Sequence, residues 1–196
     1  PLNYAGMTEI SSVDRQFLVE RQLVSRELAS LLEGPRGVAF DERESVSIMV
    51  NEEDHIRLQG LTAGWSIDTA DRLARSNLQT LEEHLEFAHS PDFGYLAASP
   101  YNSGEGRRLS CMMHLIGLAS SKRLPGVLKA LNVKGLSARG LFGETSRAVG
   151  AFVQVSLVQG GRNEFVGAVD YLIQEERTAR GQLTRDQLVE KADHAA

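Results

Sequence analysis

Apolar side chains recur at Val13, Phe17, Leu18, Leu23, Val24, Leu28, Leu31 and Leu32, closer to the helical period than to strict alternation, with Ser12 offering an N-cap. This spacing predicts one or two short helices. Gly34-Pro35-Arg36-Gly37 ends the pattern, and residues 38–41 and 45–50 then read as two strands of a hairpin around a charged turn. In the second strand Val46, Ile48 and Val50 share one face and Ser47, Met49 and Asn51 the other. If the chain stays extended, Glu53, His55 and Arg57 continue that polar face. Residues 66–87 have the charge density and period of a long amphipathic helix, its stripe formed by Ile67, Ala70, Leu73, Ala74, Leu78, Leu81 and Leu85. Such a stripe is suited to cover a sheet.

Residues 94–99 predict a short strand, 100–106 a turn with flexible backbone, and 108–118 a second strand. A helix is expected over 119–131, a strand over 133–141, a loop over 143–149 and a strand over 151–158, with helix returning from Glu164. There is no internal repeat. Strands joined irregularly by turns and helices predict an α+β fold, a largely antiparallel sheet flanked by helices around one core.

Composition narrows the function. Among 196 residues, 42% are hydrophobic and 24% charged, as in folded soluble chains. Lys plus Arg number 21 against 26 Asp plus Glu, and the net charge of -5 argues against nucleic acid or an anionic membrane as partner. The single cysteine, Cys111, excludes an intrachain disulfide framework and a cysteine-cluster zinc site, which suits the cytoplasm. No apolar run approaches the roughly 18 residues of a membrane span, and no export signal is visible. The chain opens on Pro1 and closes on a charged helical pattern without a cap, so both ends are expected to be cut from a longer protein.

Three segments carry candidate chemistry. Asn51-Glu-Glu-Asp-His-Ile-Arg57 clusters three carboxylates at a strand end, where crowding raises one pKa toward that of a base and Arg57 could hold a phosphate. Asn102-Ser-Gly-Glu-Gly-Arg-Arg108 combines glycines, which let backbone N–H groups approach an anion, with two arginines. It is neither a Walker loop nor a dinucleotide fingerprint. Arg139-Gly-Leu-Phe-Gly-Glu144 runs from a strand into a glycine turn. Singly, each reads first as a solvated or connecting turn. Together, Arg57, Arg108 and Arg139 can neutralise a polyphosphate, while Glu53 and Glu144 can grip a cationic nucleophile. That inventory suits the phosphorylation of a guanidine.

The words Ser47-Ile-Met-Val-Asn-Glu-Glu-Asp-His-Ile-Arg57, Met112-Met-His-Leu115 and Arg139-Gly-Leu-Phe-Gly-Glu144 resemble the ATP:guanido phosphotransferases, and among them the bacterial protein arginine kinases. The likeness runs from about Val19 to near Arg180. It implies the guanido kinase, glutamine synthetase-like catalytic fold over residues 34–196, C-terminally incomplete, preceded by a helical lead-in over 1–33. By resemblance Glu53 orients and deprotonates the guanidinium and Glu144 is its partner. Arg57, Arg108 and Arg139 bind ATP phosphates, and two stretches contact the nucleotide: Arg108, Leu109, Ser110, Cys111 and Met112, then Arg139, Gly140, Leu141, Phe142, Gly143 and Glu144. Mg²⁺ is expected to arrive with ATP on its phosphates, with no protein ligand. Arginine residues of proteins are the implied phosphate acceptors, and the family suggests a homodimer.

The sequence also departs from that family. Its Ser-x-Arg-x-Arg segment lies outside the chain, Gln22 stands where a His usually meets the nucleotide, Ser99 replaces a reactive cysteine, and Glu105 sits between two loop glycines. A carboxylate beside a phosphate cradle is repulsive unless Arg107 offsets it. Two further readings therefore fit: a catalytically inactive pseudokinase acting as a binding module, and a free-guanidine kinase of the phosphagen type.

Overall fold

The computed structural model describes residues 1–132, 135–140, 151–157 and 161–193. Every strand pair among them is antiparallel. The sequence pattern suggests one core, yet the chain divides into two compact units, Pro1–Gly106 and Arg107–Ala196.

In the first unit β1 (Leu2–Gly6), β2 (Gly37–Asp41), β3 (Val46–Val50) and β4 (Ile56–Gly60) form a sheet in the order β1-β2-β3-β4. The β2–β3 hairpin is the one read from the sequence; β1 is an addition, since its outward Leu2 and Tyr4 stay exposed and leave no core pattern to read. Two helices, α1 (Ser12–Glu20) and α2 (Arg26–Ser30), connect β1 to β2. The cap of α1 is Ser11 rather than Ser12: its hydroxyl accepts the Asp14 N–H at 3.1 Å while the Asp14 carboxylate accepts the Ser11 N–H, a reciprocal box. Ser25 caps α2 by accepting the Leu28 N–H at 3.0 Å. Met7, Leu18, Leu23, Val24, Leu28, Val38 and Met49 form the core between these helices and one sheet face.

The long helix α3 (Ile67–Glu82) packs against β4. A Cβ on Gly60 would collide with the Ala70 carbonyl, so the helix lies over the Ile56–Leu58–Gly60 face. Its stripe is half-buried and Leu85, beyond its end, is exposed. The strand expected over 94–99 shortens to β6 (Gly94–Tyr95), which pairs with β5 (His89–Ser90).

The second unit holds β7 (Ser110–His114), α4 (Ile116–Ser120), α5 (Leu124–Asn132), β8 (Leu136–Gly140), β9 (Phe152–Leu157), α6 (Arg162–Arg180) and α7 (Arg185–Asp193). Its sheet has the order β7-β9-β8, with α5 against β8, α6 against β9 and α4 against α6. Leu115, Leu118, Leu131, Val155, Phe165, Val169 and Leu172 are fully buried. The strand expected to run to Leu118 stops at His114, because a carboxylate from α6 holds the N–H groups of Gly117 and Leu118 and turns the chain into α4. The loop expected over 143–149 lies outside the described residues. Antiparallel sheets covered by helices are the α+β class read from the sequence. No helix among the described residues is long and apolar enough to cross a membrane.

Candidate active site

The acidic segment does not continue as strand. Asn51 adopts a left-handed conformation, φ 56°, and its N–H donates to the His55 carbonyl at 3.0 Å, closing β3 onto β4. Asn tolerates that conformation better than most side chains. The Asn51 amide reaches the Pro35 carbonyl at 2.7 Å and Arg36 donates to the Asn51 carbonyl at 3.0 Å, which anchors the turn.

This turn sends the three carboxylates in different directions instead of lining one face. Glu52 folds inward, its side chain 7% exposed, and its Oε1 accepts from Arg57 Nη1 at 3.1 Å. Asp54 accepts the Ala98 N–H at 2.7 Å and so ties the turn to the loop after β6. Glu53 is exposed, and its N–H donates to Glu52 Oε2 at 3.2 Å. The expectation that crowding raises a carboxyl pKa is not met at Glu52. Burial pushes it up, but the Ser25 hydroxyl, the Glu53 N–H and the Arg57 guanidinium outweigh that and hold it below the ordinary carboxylate range. An exposed carboxylate can meet a cation, and an arginine held through one N–H can still meet an anion.

The glycine loop is pinned rather than flexible. Tyr95 and Gly104 exchange two backbone hydrogen bonds at 2.8 and 2.9 Å, and the Ser103 hydroxyl accepts the Ala97 N–H at 3.1 Å. Gly94, at φ 74°, lies so close to the Gly104 carbonyl that a Cβ would collide with it. Glu105, in this loop, lies in the field of Arg75 on α3. The Arg75 pKa is raised first by its hydrogen bond to Asp71, then by the Asp71 charge, with Glu105 adding to it.

In the second unit, register places Met112, Gln154 and Arg139 in one row across β7, β9 and β8. The next row carries Ser110, Ser156 and Ser137, with Ser110 Oγ and Ser156 Oγ 2.8 Å apart. Both rows belong to the same sheet face, since they are two residues apart along each strand. Cys111 instead stands in the row of buried Val155; burial pushes its thiol pKa up, which is the environment of a packing residue rather than a nucleophile. Leu109 accepts the Leu157 N–H at 2.9 Å through its carbonyl, and Arg108 is exposed. His114 stacks on Phe152 at 4.5 Å and 13°, and its Nε2 is buried with no hydrogen-bond partner among the described residues.

In the first unit Glu53 and Arg57 are each bonded to Glu52, one through its backbone N–H and the other through its guanidinium, and the second unit aligns Ser110 and Met112 with the strand position of Arg139. Gly140 ends β8, while Leu141, Phe142, Gly143 and Glu144 lie outside the described residues. The sequence marks Glu52 as one of three clustered carboxylates but not as the partner of Arg57, and it singles out neither Ser25, despite its place before a helix, nor Gln154. Among the described residues, no group of three or more His, Cys, Asp or Glu could hold a metal ion.

A family profile described as ATP:guanido phosphotransferase, C-terminal catalytic domain, matches residues 1–178. A protein-arginine kinase of Halothermothrix orenii is 38% identical, the match covering 98% of this chain and 57% of that protein. Another, of Moorella thermoacetica, is 43% identical over 83% of this chain and 47% of its own length. The chain spans about half the length of the curated relatives it matches. Among solved structures, the duplicated taurocyamine kinase of Schistosoma mansoni superposes with a TM-score of 0.78 at 22% identity, over 90% of this chain and 27% of the other. A lombricine kinase gives 0.71 at 23% identity, over 95% and 57%. At these identities the likeness is one of fold.

Proposed function

This chain belongs to the ATP:guanido phosphotransferase family, and from that premise we propose that it phosphorylates arginine guanidinium groups on proteins with ATP. The observation that carries the reading is the turn after β3, which leaves the Glu53 side chain exposed and holds Arg57 on the inward Glu52 carboxylate. The names of the relatives favour protein arginine over free guanidines.

In this reading Arg57, Arg108 and Arg139 take the ATP phosphates, and residues 108–112 and 139–144 contact the nucleotide. The row of Met112, Gln154 and Arg139 supports that assignment, since it sets residues from both stretches on one sheet face. Mg²⁺ enters on the phosphates as part of the substrate Mg·ATP. The γ-phosphorus forms a bond to a guanidinium nitrogen as its bond to the bridging oxygen of ADP breaks, and positioning supplies most of the rate. Glu53 orients the guanidinium, with Glu144 as partner. A guanidinium pKa above about 12 means that its proton leaves only as the N–P bond forms, so Glu53 need not be a strong base.

The same reading assigns catalysis to residues 34–196 after a lead-in over 1–33, and places the protein in the cytoplasm as a homodimer. Glu105 and Ser99 are the features that favour an inactive pseudokinase acting as a binding module. The test is titration calorimetry with Mg·ATP, using Arg108→Ala as control, followed by ³¹P detection of phosphoarginine on an arginine-rich protein and on free arginine. Binding that Arg108→Ala abolishes, with transfer to the protein, supports the proposal. Binding without transfer supports the binding module, and transfer to free arginine alone supports the phosphagen-type enzyme.

A further inference from the structure

We infer that Glu52 is a positioning residue, which aims the Arg57 guanidinium at the nucleotide and fixes the backbone of Glu53. The inference rests on the reading above, in which Arg57 binds phosphate. Glu52 never meets a substrate in this scheme; it acts through its two neighbours.

The geometry gives Glu52 one bond to each of them. Oε1 accepts from Arg57 Nη1 at 3.1 Å, and Oε2 accepts the Glu53 N–H at 3.2 Å. The Glu52 side chain is 7% exposed and that of Arg57 is 35% exposed, so the carboxylate is the inner, fixed member and the guanidinium the outer one. Engaging Nη1 leaves the rest of a planar fork of five N–H donors to face outward, which suits two-point recognition of a phosphate.

Glu52 is itself braced from a third element. The Ser25 hydroxyl lies beside its carboxylate and favours the ionised form. Ser25 is fixed in turn: its Oγ accepts the Leu28 N–H at 3.0 Å, and its N–H donates to Met49 Sδ at 3.4 Å. Met49 is the register partner of Arg57 on β3, and two residues along that strand Ser47 Oγ donates to the Leu23 carbonyl at 2.5 Å. The turn before α2 is thus bonded to the same strands that carry Arg57. An arginine held this way loses less rotamer freedom when phosphate arrives. A side chain locked by a supporting carboxylate is the arrangement expected of a prearranged anion site.

The experiment uses the full-length protein and Mg·ATP as probe, in a double-mutant cycle of Glu52→Gln and Arg57→Ala read by calorimetric Kd. Arg57→Ala is expected to weaken binding about tenfold or more, and Glu52→Gln by about five- to tenfold. In the Arg57→Ala background, Glu52→Gln is expected to change Kd by less than about twofold, because its partner is gone. Equal losses in both backgrounds, or a wild-type Kd for Glu52→Gln beside a weak Arg57→Ala, would overturn the positioning role. A wild-type Kd for Arg57→Ala would overturn the phosphate assignment itself, and the inference with it. Should Glu52→Gln not fold, Ser25→Ala takes its place in the cycle, with a smaller loss expected in the same direction and again none beyond Arg57→Ala.

Discussion

The carboxylate of Glu176, 6% exposed on α6, accepts the N–H of Gly117 at 2.9 Å with one oxygen and that of Leu118 at the same distance with the other. The two donors belong to the first turn of α4, whose N–H groups have no partner within the helix. Arg180 Nε, one turn along α6, donates to Glu176 at 2.5 Å and carries its charge. Glu176→Ala would bury two unsatisfied donors and leave Arg180 without this carboxylate, a loss of roughly 3–5 kcal/mol. Urea unfolding of the variant against the wild type measures it, and an unchanged midpoint would show that α4 does not depend on this cap.

The Gly94 and Gly104 contact predicts a second outcome. Gly94→Ala places a methyl against the Gly104 carbonyl at a positive φ, which costs about 1–2 kcal/mol for the backbone alone. The paired Tyr95 and Gly104 amides should then exchange hydrogen faster, together with those of the glycine loop. Amide exchange measured by NMR checks it: protection kept at Gly104 would mean that the loop is held by other bonds.

Acid should loosen the first unit through two carboxylates. Asp41 is pushed up by burial, but the N–H of Val46 and the hydroxyl and N–H of Ser45, which it accepts at 2.8, 2.7 and 2.7 Å, bring it below the ordinary value; Glu52 is lowered as described above. A folded pKa below the unfolded one adds stability that is present above the unfolded value, near pH 4, and is lost as pH falls through the folded value. Asp41→Asn should therefore flatten part of the fall in urea midpoint between about pH 5 and 3. An unchanged slope would remove Asp41 from the account.

How far the sequence could be read depended on whether the deciding contact was local. The alternation of Val46, Ser47, Ile48, Met49 and Val50 is a local property, and β3 lies where it predicts. The end of β7 is decided by Glu176, far along the chain, and no pattern near Leu115 could announce it. The turn at Asn51 depends on its left-handed backbone and on bonds from Arg36 and to Pro35, so an extended reading carried Glu53 and Arg57 onto one strand face where the fold sets Glu53 in the turn and Arg57 on β4. The words around them single out Glu53, Arg57 and Met112 as candidates, and Glu52 as one of three clustered carboxylates. That Glu52 turns inward to hold Arg57, with Ser25 beside it, could not be read, because it depends on which side chain the turn buries.

The exposure of Glu53 leads to the prediction that bears most directly on the chemistry. Its side chain is exposed, and its N–H, not its carboxylate, makes the bond to Glu52. Glu53→Gln keeps that N–H and changes no packing, so stability should move by less than about 0.5 kcal/mol. Arg57 remains held, so the Kd for Mg·ATP should also stay near the wild-type value. In the proposed reaction the amide lacks the negative charge assigned to orienting the guanidinium and receiving its proton, so kcat should fall by about 10²–10⁴-fold. Single-turnover phosphorylation of an arginine-rich protein, run beside calorimetry on the same variant, separates the two quantities. A rate within about tenfold of wild type, with binding intact, would move the orienting role from Glu53 to another group.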